Sequence, residues 1–304
     1  MKKLVIFLLI AILTLGACMP ALAATTPTSK KVLLWSIDCP SGVYGDEKIP
    51  QSVVAAFEAN GVTVTDQSKN TQHFAEGTNL VADYGLVFLM FPTTELNSTD
   101  ISVLKKFVDA GGRIVMQGEN PGWLPEANEV LSKAAADLGT AFTITTDPDG
   151  EHAAALNPKS NIISNPGHVV EALRPIAISR IDFAEPALLV AETLTNGKAF
   201  VVDQAVSKGR ITVMSDVNFY TYDYVNRNTI DDPNVINFFY NLLADSVKNM
   251  DDVKAGKDPN SRLGEDPVEE PVPKTGDTTN VVLLGMVMLI CAVGMTLTAR
   301  KCRG

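Results

Sequence analysis

Acidic, amide and aromatic side chains follow several apolar segments of this chain, and together they suit a hydroxyl-rich ligand. Carboxylates and amides accept hydrogen bonds from hydroxyl groups, while aromatic rings stack on the C–H faces of sugars. The candidate ligand-binding residues are Asp38, Tyr44, Glu119, Asn120, Trp123, Asp216, Asn218 and Tyr220. Two of them have another interpretation, because Tyr220 begins an alternation of tyrosines typical of packing and Asp216 can cap a turn. Protein contact, or no site, therefore stays open.

Cys39 is the candidate nucleophile of the exported part of the chain, and it follows an apolar segment. His73, His152 or His168 could activate it in principle. We favour a structural cysteine at a strand end, because none of the histidines follows a recognisable strand. The histidines are too scattered for a zinc site, and residues 147–151 (DPDGE) lack the full calcium-loop spacing and fit a turn. We expect neither a metal nor a cofactor.

Apolar segments alternate with amphipathic ones from residue 30 to residue 250, and these elements must position the side chains above. The alternation is typical of β-α-β units around a mainly parallel sheet. The predicted strands are residues 32–37, 62–65, 86–91, 113–116, 187–192, 199–203 and 210–214. In such a sheet the loops after the carboxyl ends of the strands converge on one edge, so the candidate residues are expected to lie there.

Two helices are well marked in the sequence. Asn97 or Ser98 can cap a helix that ends at Gly111, between the third and fourth strands. Asp232 can cap the last helix, where Pro233 fits the first turn and an apolar stripe follows. Residues 147–183 are rich in Asn-Pro and Pro-Gly pairs, which predicts a loop-rich insertion.

Four segments carry a family resemblance: LVFLM at 86–90, LKKFVDAGGRIV at 104–115, GRITVMSD at 209–216 and NFFYNLL at 237–243. Their order resembles the class I glutamine amidotransferase-like superfamily, and more nearly its trehalose-utilisation-like and gliding-motility-type branches. The resemblance covers most of residues 31–247. It implies a flavodoxin-like three-layer α/β sandwich with a mainly parallel sheet.

The resemblance also implies that this chain lacks the nucleophilic cysteine of the family. Active members carry a nucleophilic cysteine in a G-x-C-x-G turn after the strand that corresponds here to residues 113–116. This chain has GENPG at 118–122, so Asn120 stands at the cysteine position. An amide is neither a nucleophile nor a base, and the resemblance therefore implies a retained scaffold without hydrolytic activity.

The C-terminus resembles a Gram-positive cell-wall sorting signal of the LPxTG type. Val272, Pro273, Lys274, Thr275 and Gly276 precede an uncharged apolar run that can span a bilayer at about 279–299, and a basic tail follows. The resemblance implies that a sortase cleaves after Thr275 and joins its carbonyl to peptidoglycan. Valine in place of leucine leaves the sortase class open. An ordinary membrane anchor is the alternative.

The N-terminus predicts export. Two lysines precede an apolar stretch, and Ala21-Leu22-Ala23 supplies the small residues before a signal-peptidase site, so residues 1–23 are predicted as a signal peptide. A lipobox-like sequence that ends at Cys18 offers a competing interpretation, in which that cysteine carries a lipid. The two terminal segments together predict that the protein is displayed on the surface of a Gram-positive bacterium.

Charge and composition characterise residues 24–275, which lie between the predicted signal peptide and the predicted cleavage site. Between Ala24 and Thr275 there are 20 basic and 34 acidic residues, a formal charge of −14, which argues against nucleic acid or anionic lipid as a partner. Residues 251–271 are nearly devoid of large apolar side chains and are predicted to form a flexible spacer before the sorting signal at 272–304. Cys39 alone remains in the mature domain, so no internal disulfide can form.

These observations favour a cell-wall-anchored surface protein whose α/β domain, residues 30–250, is a non-catalytic binding or interaction module. Its expected partners are sortase and peptidoglycan, with a sugar or another wall or host ligand. The alternative is a surface hydrolase that cleaves glycans with carboxylates at the same edge of the sheet.

Overall fold

The apolar segments form the central strands of an eight-stranded sheet in a computed structural model of the chain. The structure describes residues 30–40, 48–145, 153–176, 178–184, 186–221 and 232–259. The strands within these residues are β1 (Lys31–Trp35), β2 (Val64–Gln67), β3 (Tyr84–Met90), β4 (Arg113–Gln117), β5 (Phe142–Thr145), β6 (Ala154–Leu156), β7 (Arg180–Phe183), β8 (Ala187–Thr193), β9 (Ala199–Val206) and β10 (Gly209–Met214). Seven of them overlap the predicted strands, four of which lie entirely within the observed ones, and the predicted α/β class is confirmed.

Five strands form a parallel sheet in the order β2-β1-β3-β4-β10. This is the 2-1-3-4-5 order of flavodoxin-like folds, in which the strand order reverses beside β1. Three further strands, β9, β8 and β6, extend the sheet beyond β10 by antiparallel pairing.

The predicted mainly parallel sheet is therefore corrected to a mixed one. Only two residues, Ser207 and Lys208, separate β9 from β10. A connection of that length can join antiparallel neighbours, whereas parallel neighbours need a crossover of a dozen residues or more. The strand that was expected to end at residue 203 continues to Val206, which leaves room for a hairpin turn and none for a helix.

Helices cover both faces of the sheet. Those within the described residues are α1 (Lys48–Glu58), α2 (Leu80–Asp83), α3 (Ser98–Asp109), α4 (Pro125–Leu138), α5 (Asn161–Ser164), α6 (Asn218–Thr221) and α7 (Pro233–Lys254). Alternate residues of β1 point to opposite faces, so that Leu34 packs with Phe57 of α1 and Phe239 of α7, while Leu33 packs in the other core with Phe107 of α3 and Leu131 of α4. The sheet is thus buried on both faces, as its continuous apolar strands require.

The predicted caps of both marked helices are confirmed. The side chain of Asn97 accepts a hydrogen bond from Asp100 N, and the Asp100 side chain accepts one from Asn97 N, which makes a reciprocal capping box on α3. Asp232 caps α7, and Pro233 lies in its first turn. That helix ends at Lys254, four residues beyond the predicted domain boundary, so the spacer cannot begin at residue 251.

The predicted insertion at residues 147–183 contains more regular structure than expected. Its β6 adds an edge strand to the main sheet, while β7 pairs with β5 in a separate two-stranded sheet. Asn157 Nδ2 donates to Leu189 O at 2.7 Å, and Asn241 Nδ2 of α7 donates to Ile162 O at 2.8 Å. Side-chain amides thus fasten this segment to the sheet and to the last helix.

A buried ion-pair network joins the amino-terminal ends of β4 and β10 to β9 and α7. Arg113 Nη1 lies 2.5 Å from Asp203 Oδ1, and Arg113 Nη2 pairs with Asp245. Arg210 Nε lies 2.5 Å from Asp203 Oδ2. The two cations and two anions balance, and Arg113 is fully buried. Buried ions are tolerated only when they are paired in this way.

Several sequence predictions lie outside the described residues. They are the signal peptide with Cys18, Tyr44, the acidic turn at 147–151 with His152, the spacer from residue 260 onward, and the sorting signal with its apolar run. Among the helices that the structure does describe, none combines the length and the apolar composition needed to cross a membrane.

Candidate functional site

Two carboxyl groups lie next to each other beyond the carboxyl ends of β4 and β10. These strands are parallel neighbours with Gln117 paired to Met214, so Glu119 and Asp216 each lie two residues beyond a paired position. Both carboxyl groups are buried, Glu119 with 3% of its surface exposed and Asp216 with none. The predicted convergence of these two loops on one edge follows from the strand register.

Glu119 is held on all sides by hydrogen bonds. Its Oε1 accepts from Asn120 N at 2.8 Å, and its Oε2 accepts from Val217 N at 3.3 Å. Asn128 of α4 binds the Glu119 backbone twice, with Oδ1 accepting from Glu119 N at 3.1 Å and Nδ2 donating to Glu119 O at 2.6 Å. The preceding Gly118 permits this approach, since a Cβ there would lie 2.7 Å from Asn128 Oδ1.

Asp216 organises the loop after β10. Its Oδ1 accepts from Asn218 N at 2.8 Å, and its Oδ2 accepts from Ile176 N at 3.1 Å. Asn218 Nδ2 donates to Ile176 O at 2.8 Å, which closes a second link to the same segment. The carboxyl group thus caps a turn and fastens the strand end to the chain around residue 176.

Burial changes the ionisation of both carboxyl groups. Removal from water raises the pKa of Glu119 to about 8, and the nearby charge of Asp216 adds to that rise. Burial likewise raises the pKa of Asp216 to about 7, against the lowering effect of its hydrogen bonds from Asn218 and Ile176. Because the two groups titrate together, the pair keeps a proton near neutral pH.

The side chain of Asn120, which stands at the cysteine position of the family that the sequence resembles, is hydrogen-bonded within its own turn. Its Oδ1 accepts from Gly122 N at 2.8 Å, and its backbone O accepts from Trp123 N and Leu124 N. The amide therefore stabilises the turn that leads into α4. Trp123 follows it with 65% of its surface exposed, the largest exposed fraction among the large hydrophobic side chains that the structure describes.

Tyr220 is a core residue. It is 1% exposed, its ring packs edge-on against Phe239 with centroids 5.2 Å apart, and its hydroxyl donates to Gln117 Oε1 at 3.0 Å. Gln117 Nε2 in turn donates to Gly118 O at 2.7 Å. Through its hydrogen bond to Gln117, Tyr220 thus holds the end of β4 from the core side. Its buried ring is not presented to a ligand at the surface.

Asp38 lies on the loop after β1, beside the strand-order reversal. It is exposed and adopts a φ of 53°, and its carboxylate accepts from Thr94 Oγ1 at 2.6 Å. Thr93 Oγ1 donates to Asp38 O at 2.5 Å, so the loops after β1 and β3 are joined. Burial raises the pKa of the neighbouring Cys39 thiol to about 11, which keeps it protonated at neutral pH and unsuited to nucleophilic attack.

The two described histidines are engaged away from Cys39. His73 Nδ1 lies 2.5 Å from Asp100 Oδ2, and His168 stacks on Tyr240 with ring centroids 4.0 Å apart. Neither therefore activates the thiol. Across the described part of the chain, no three His, Cys, Asp or Glu side chains are grouped so as to hold a metal ion.

The structure thus brings together four of the candidate residues, Glu119, Asn120, Asp216 and Asn218, while Asp38 lies on another loop of the same edge. Sequence reasoning did not include Gln117 and Asn128, which bind the backbone of this edge. Neither has a sequence signal of its own, since their roles depend on strand pairing and on α4.

Comparison with known proteins establishes the fold and no family. No protein-family model matches the chain, and no curated protein matches it. Two solved structures share its fold at a TM-score of 0.51: the mmIFT52 N-terminal domain, with 12% identity over 71% of this chain and 97% of that one, and the cytoplasmic protein STM3548 from Salmonella typhimurium, with 16% identity over 70% and 98%.

A ThuA-like protein from Bacteroides uniformis is also similar, with 11% identity over 79% of this chain and 98% of that one. The TM-score of this pair is 0.42. At these identities the likeness concerns the fold alone. The strand order and the helices on both faces are those of a flavodoxin-like α/β fold.

Proposed function

We propose that this protein is displayed on the wall of a Gram-positive bacterium, and that its α/β domain is a binding module without catalytic activity. The order of the terminal motifs supports the first part. An export signal precedes the domain, while a VPKTG motif, an apolar run and a basic tail follow it. A sortase would break the Thr275–Gly276 peptide bond, release the segment that begins at Gly276, hold the threonyl carbonyl as an acyl intermediate, and transfer it to an amino group of peptidoglycan.

The environment of Asn120 carries the second part of the proposal. The position of the family's nucleophile holds an amide whose oxygen accepts a hydrogen bond from Gly122 N. The side chain cannot attack a carbonyl, and it cannot take a proton from a substrate. The thiol of Cys39 gives no substitute, since burial raises its pKa to about 11.

Purified protein is expected to hydrolyse neither glutamine, nor p-nitrophenyl esters, nor peptides, because no activated nucleophile is present among the described residues. Release of ammonia, nitrophenol or new amino termini measures this directly. A Cys39→Ser variant serves as the control, since residual turnover that disappears in it would identify the thiol as a nucleophile and contradict the proposal.

Thr275→Ala is expected to leave the protein in the membrane fraction, because the sortase loses the residue whose carbonyl it attacks. The measurement is the amount of protein that stays with purified peptidoglycan after boiling in detergent. Thr278→Ala, three residues downstream of the cleaved bond, is the matched control and should remain wall-bound. Wall linkage of Thr275→Ala equal to that of the control would refute anchoring through this motif.

One observation favours a second candidate, a carboxylate-dependent glycoside hydrolase. Glu119 and Asp216 lie close enough for the charge of one to raise the pKa of the other, as in acid–base pairs of glycosidases. Their burial and their backbone hydrogen bonds favour a structural role instead. Glycoside cleavage that is lost in Glu119→Gln and retained in Cys39→Ser would establish the second candidate.

A further inference from the structure

A cavity of about 680 Å³ lies between the edge strand β2 and the segment that follows it. Its walls include Trp35 at the end of β1, Ser68, His73 and Phe74 of the segment after β2, and Leu80 of α2. The volume is in the range of cavities that hold small molecules. Neither Glu119 nor Asp216 lines it, so this cavity is separate from the paired carboxyl groups.

Two residues in the wall of this cavity carry polar atoms that are buried without a hydrogen-bond partner among the described residues, namely Trp35 Nε1 and Ser68 Oγ. Trp35 is fully buried, and Ser68 is 2% exposed. An unmet donor costs free energy in a folded protein, and such atoms need an explanation. A ligand with hydrogen-bond acceptors would satisfy both.

A third polar group in the wall, His73, is held in place from behind. Its Nδ1 donates to Asp100 Oδ2 at 2.5 Å, since an ionised carboxylate can only accept. Asp100 is itself fixed, because Asn97 N and Phe74 N donate to it at 2.9 and 2.8 Å. The imidazole is therefore oriented, and Nε2 remains for a ligand.

The aromatic part of the wall is also rigid. Phe74 stacks on Trp35, with ring centroids 4.1 Å apart and planes inclined by 17°. Leu80 and Ala75 add apolar surface, while Gln67 and Gln72 add amide groups that can both donate and accept. The cavity wall therefore combines apolar surface with groups that can donate and accept hydrogen bonds.

We propose that this cavity binds a sugar of one or two rings, with its hydroxyl oxygens at Trp35 Nε1, Ser68 Oγ and His73 Nε2. This inference rests on the proposed function, since it supplies the place where a non-catalytic binding module holds its ligand. A sugar fits the lining because its C–H faces pack on apolar groups while its hydroxyls donate and accept.

Other ligand classes fit less well. A purely apolar molecule would leave Trp35 Nε1 and Ser68 Oγ without partners. A phosphate would meet the carboxylate of Asp66 as well as the ammonium group of Lys69 in the same lining, so the wall offers it no net positive charge, in a protein of net charge −10. These alternatives become outcomes of the test below.

The test uses the two tryptophans of the chain, Trp35 and Trp123, as separate reporters. The full chain is labelled with 5-fluorotryptophan, purified in a detergent without a sugar headgroup, and titrated with N-acetylglucosamine, lactose or inorganic phosphate. Fluorine NMR should show a saturable shift of the Trp35 resonance with at least one sugar. The Trp123 resonance should stay in place, because that ring lies outside the cavity. The sugar that binds more tightly distinguishes a wall amino sugar from a host galactoside.

A pair of serine variants separates binding from a general effect on the fold. Ser68→Ala should weaken the apparent affinity by about tenfold through loss of one hydrogen bond. Ser179→Ala removes another buried hydroxyl without a partner among the described residues, away from the cavity, and should leave the affinity unchanged. Equal effects of the two variants would overturn the proposal.

The remaining outcomes are also decisive. No shift of Trp35 with either sugar, a shift with phosphate alone, or equal shifts of both tryptophans would each overturn a sugar site in this cavity. Different results would contradict the proposed function, namely hydrolysis of a substrate by the purified protein or covalent wall linkage of the Thr275→Ala variant. An unresponsive Trp35 in a wall-linked, inactive protein would remove this site and leave the proposed function in place.

Discussion

Replacement of Arg113 by alanine is expected to lower the free energy of unfolding by about 3–5 kcal/mol, the usual cost of removing one partner from a buried ion pair. The guanidinium is fully buried, and it contacts Asp203 at 2.5 Å and Thr212 Oγ1 at 2.6 Å. Its loss leaves Asp203 with one cationic partner among the described residues, Arg210, and with the hydrogen bond from Thr212 Oγ1. It also removes the main cation beside Asp245, whose pKa is lowered because attraction to Arg113 and Arg210 outweighs burial.

Urea denaturation at neutral pH measures this effect, provided that the slope of the transition is unchanged. Arg180→Ala is the matched control. Arg180 pairs with Asp182 at 2.9 Å, but both side chains are 48% exposed, and such surface pairs contribute about 0–1 kcal/mol. If Arg113→Ala were as stable as Arg180→Ala, the ion-pair network would not hold β4, β9, β10 and α7 together.

The second large effect concerns pH. Wild-type stability is expected to fall progressively as the pH rises from about 4, where the unfolded chain ionises, to about 7 and 8, where Asp216 and Glu119 lose their protons in the folded state. In the unfolded chain both groups ionise near pH 4, so between these pH values the folded state binds more protons. The stabilisation is thus fully present below about pH 4, declines as the pH rises, and is completely lost once the folded carboxyl groups have ionised.

Glu119→Gln should remove the part of this dependence that belongs to Glu119, because glutamine resembles the protonated carboxyl group, while Asp216 keeps the part that its own burial causes. We expect the variant to be more stable than wild type at pH 9 by about 2 kcal/mol or more, and slightly less stable at pH 5 because the amide has one acceptor fewer. Denaturant midpoints over a pH series measure the crossing. Glu126→Gln, an exposed change in the first turn of α4, should keep the wild-type profile. Parallel profiles for wild type and Glu119→Gln would show that the pair does not titrate as described.

The parallel part of the fold could be predicted because its strands are continuous apolar segments. Arg113–Gln117 and Gly209–Met214 were located to within one residue, and the caps of α3 and α7 carry their own signals at Asn97 and Asp232. The register of β4 and β10 then places Glu119 near Asp216 without further information. The local sequence pattern and sheet geometry are therefore sufficient to predict strands that are buried on both faces of the sheet.

Other elements were missed for identifiable reasons. Three of the seven buried residues of α4 are alanines and one is an asparagine, so its apolar periodicity is shallow, although Pro125 and Gly139 mark its ends. The antiparallel extension was hidden because β9 was predicted three residues too short. The separate cavity could not be predicted at all, since Trp35, Ser68 and the His73–Asp100 pair lie on segments that only the tertiary fold brings together.

The central claim is that the α/β domain binds a small sugar without cleaving it, and one NMR experiment tests both parts. Lactose and N,N′-diacetylchitobiose are incubated with the protein while saturation transfer to the sugars and the anomeric proton signals are recorded. The account predicts saturation transfer to at least one disaccharide, weakened by Ser68→Ala, and no monosaccharide signal after prolonged incubation. New anomeric signals that accumulate with wild type and vanish with Glu119→Gln, or no saturation transfer to either sugar, would contradict it.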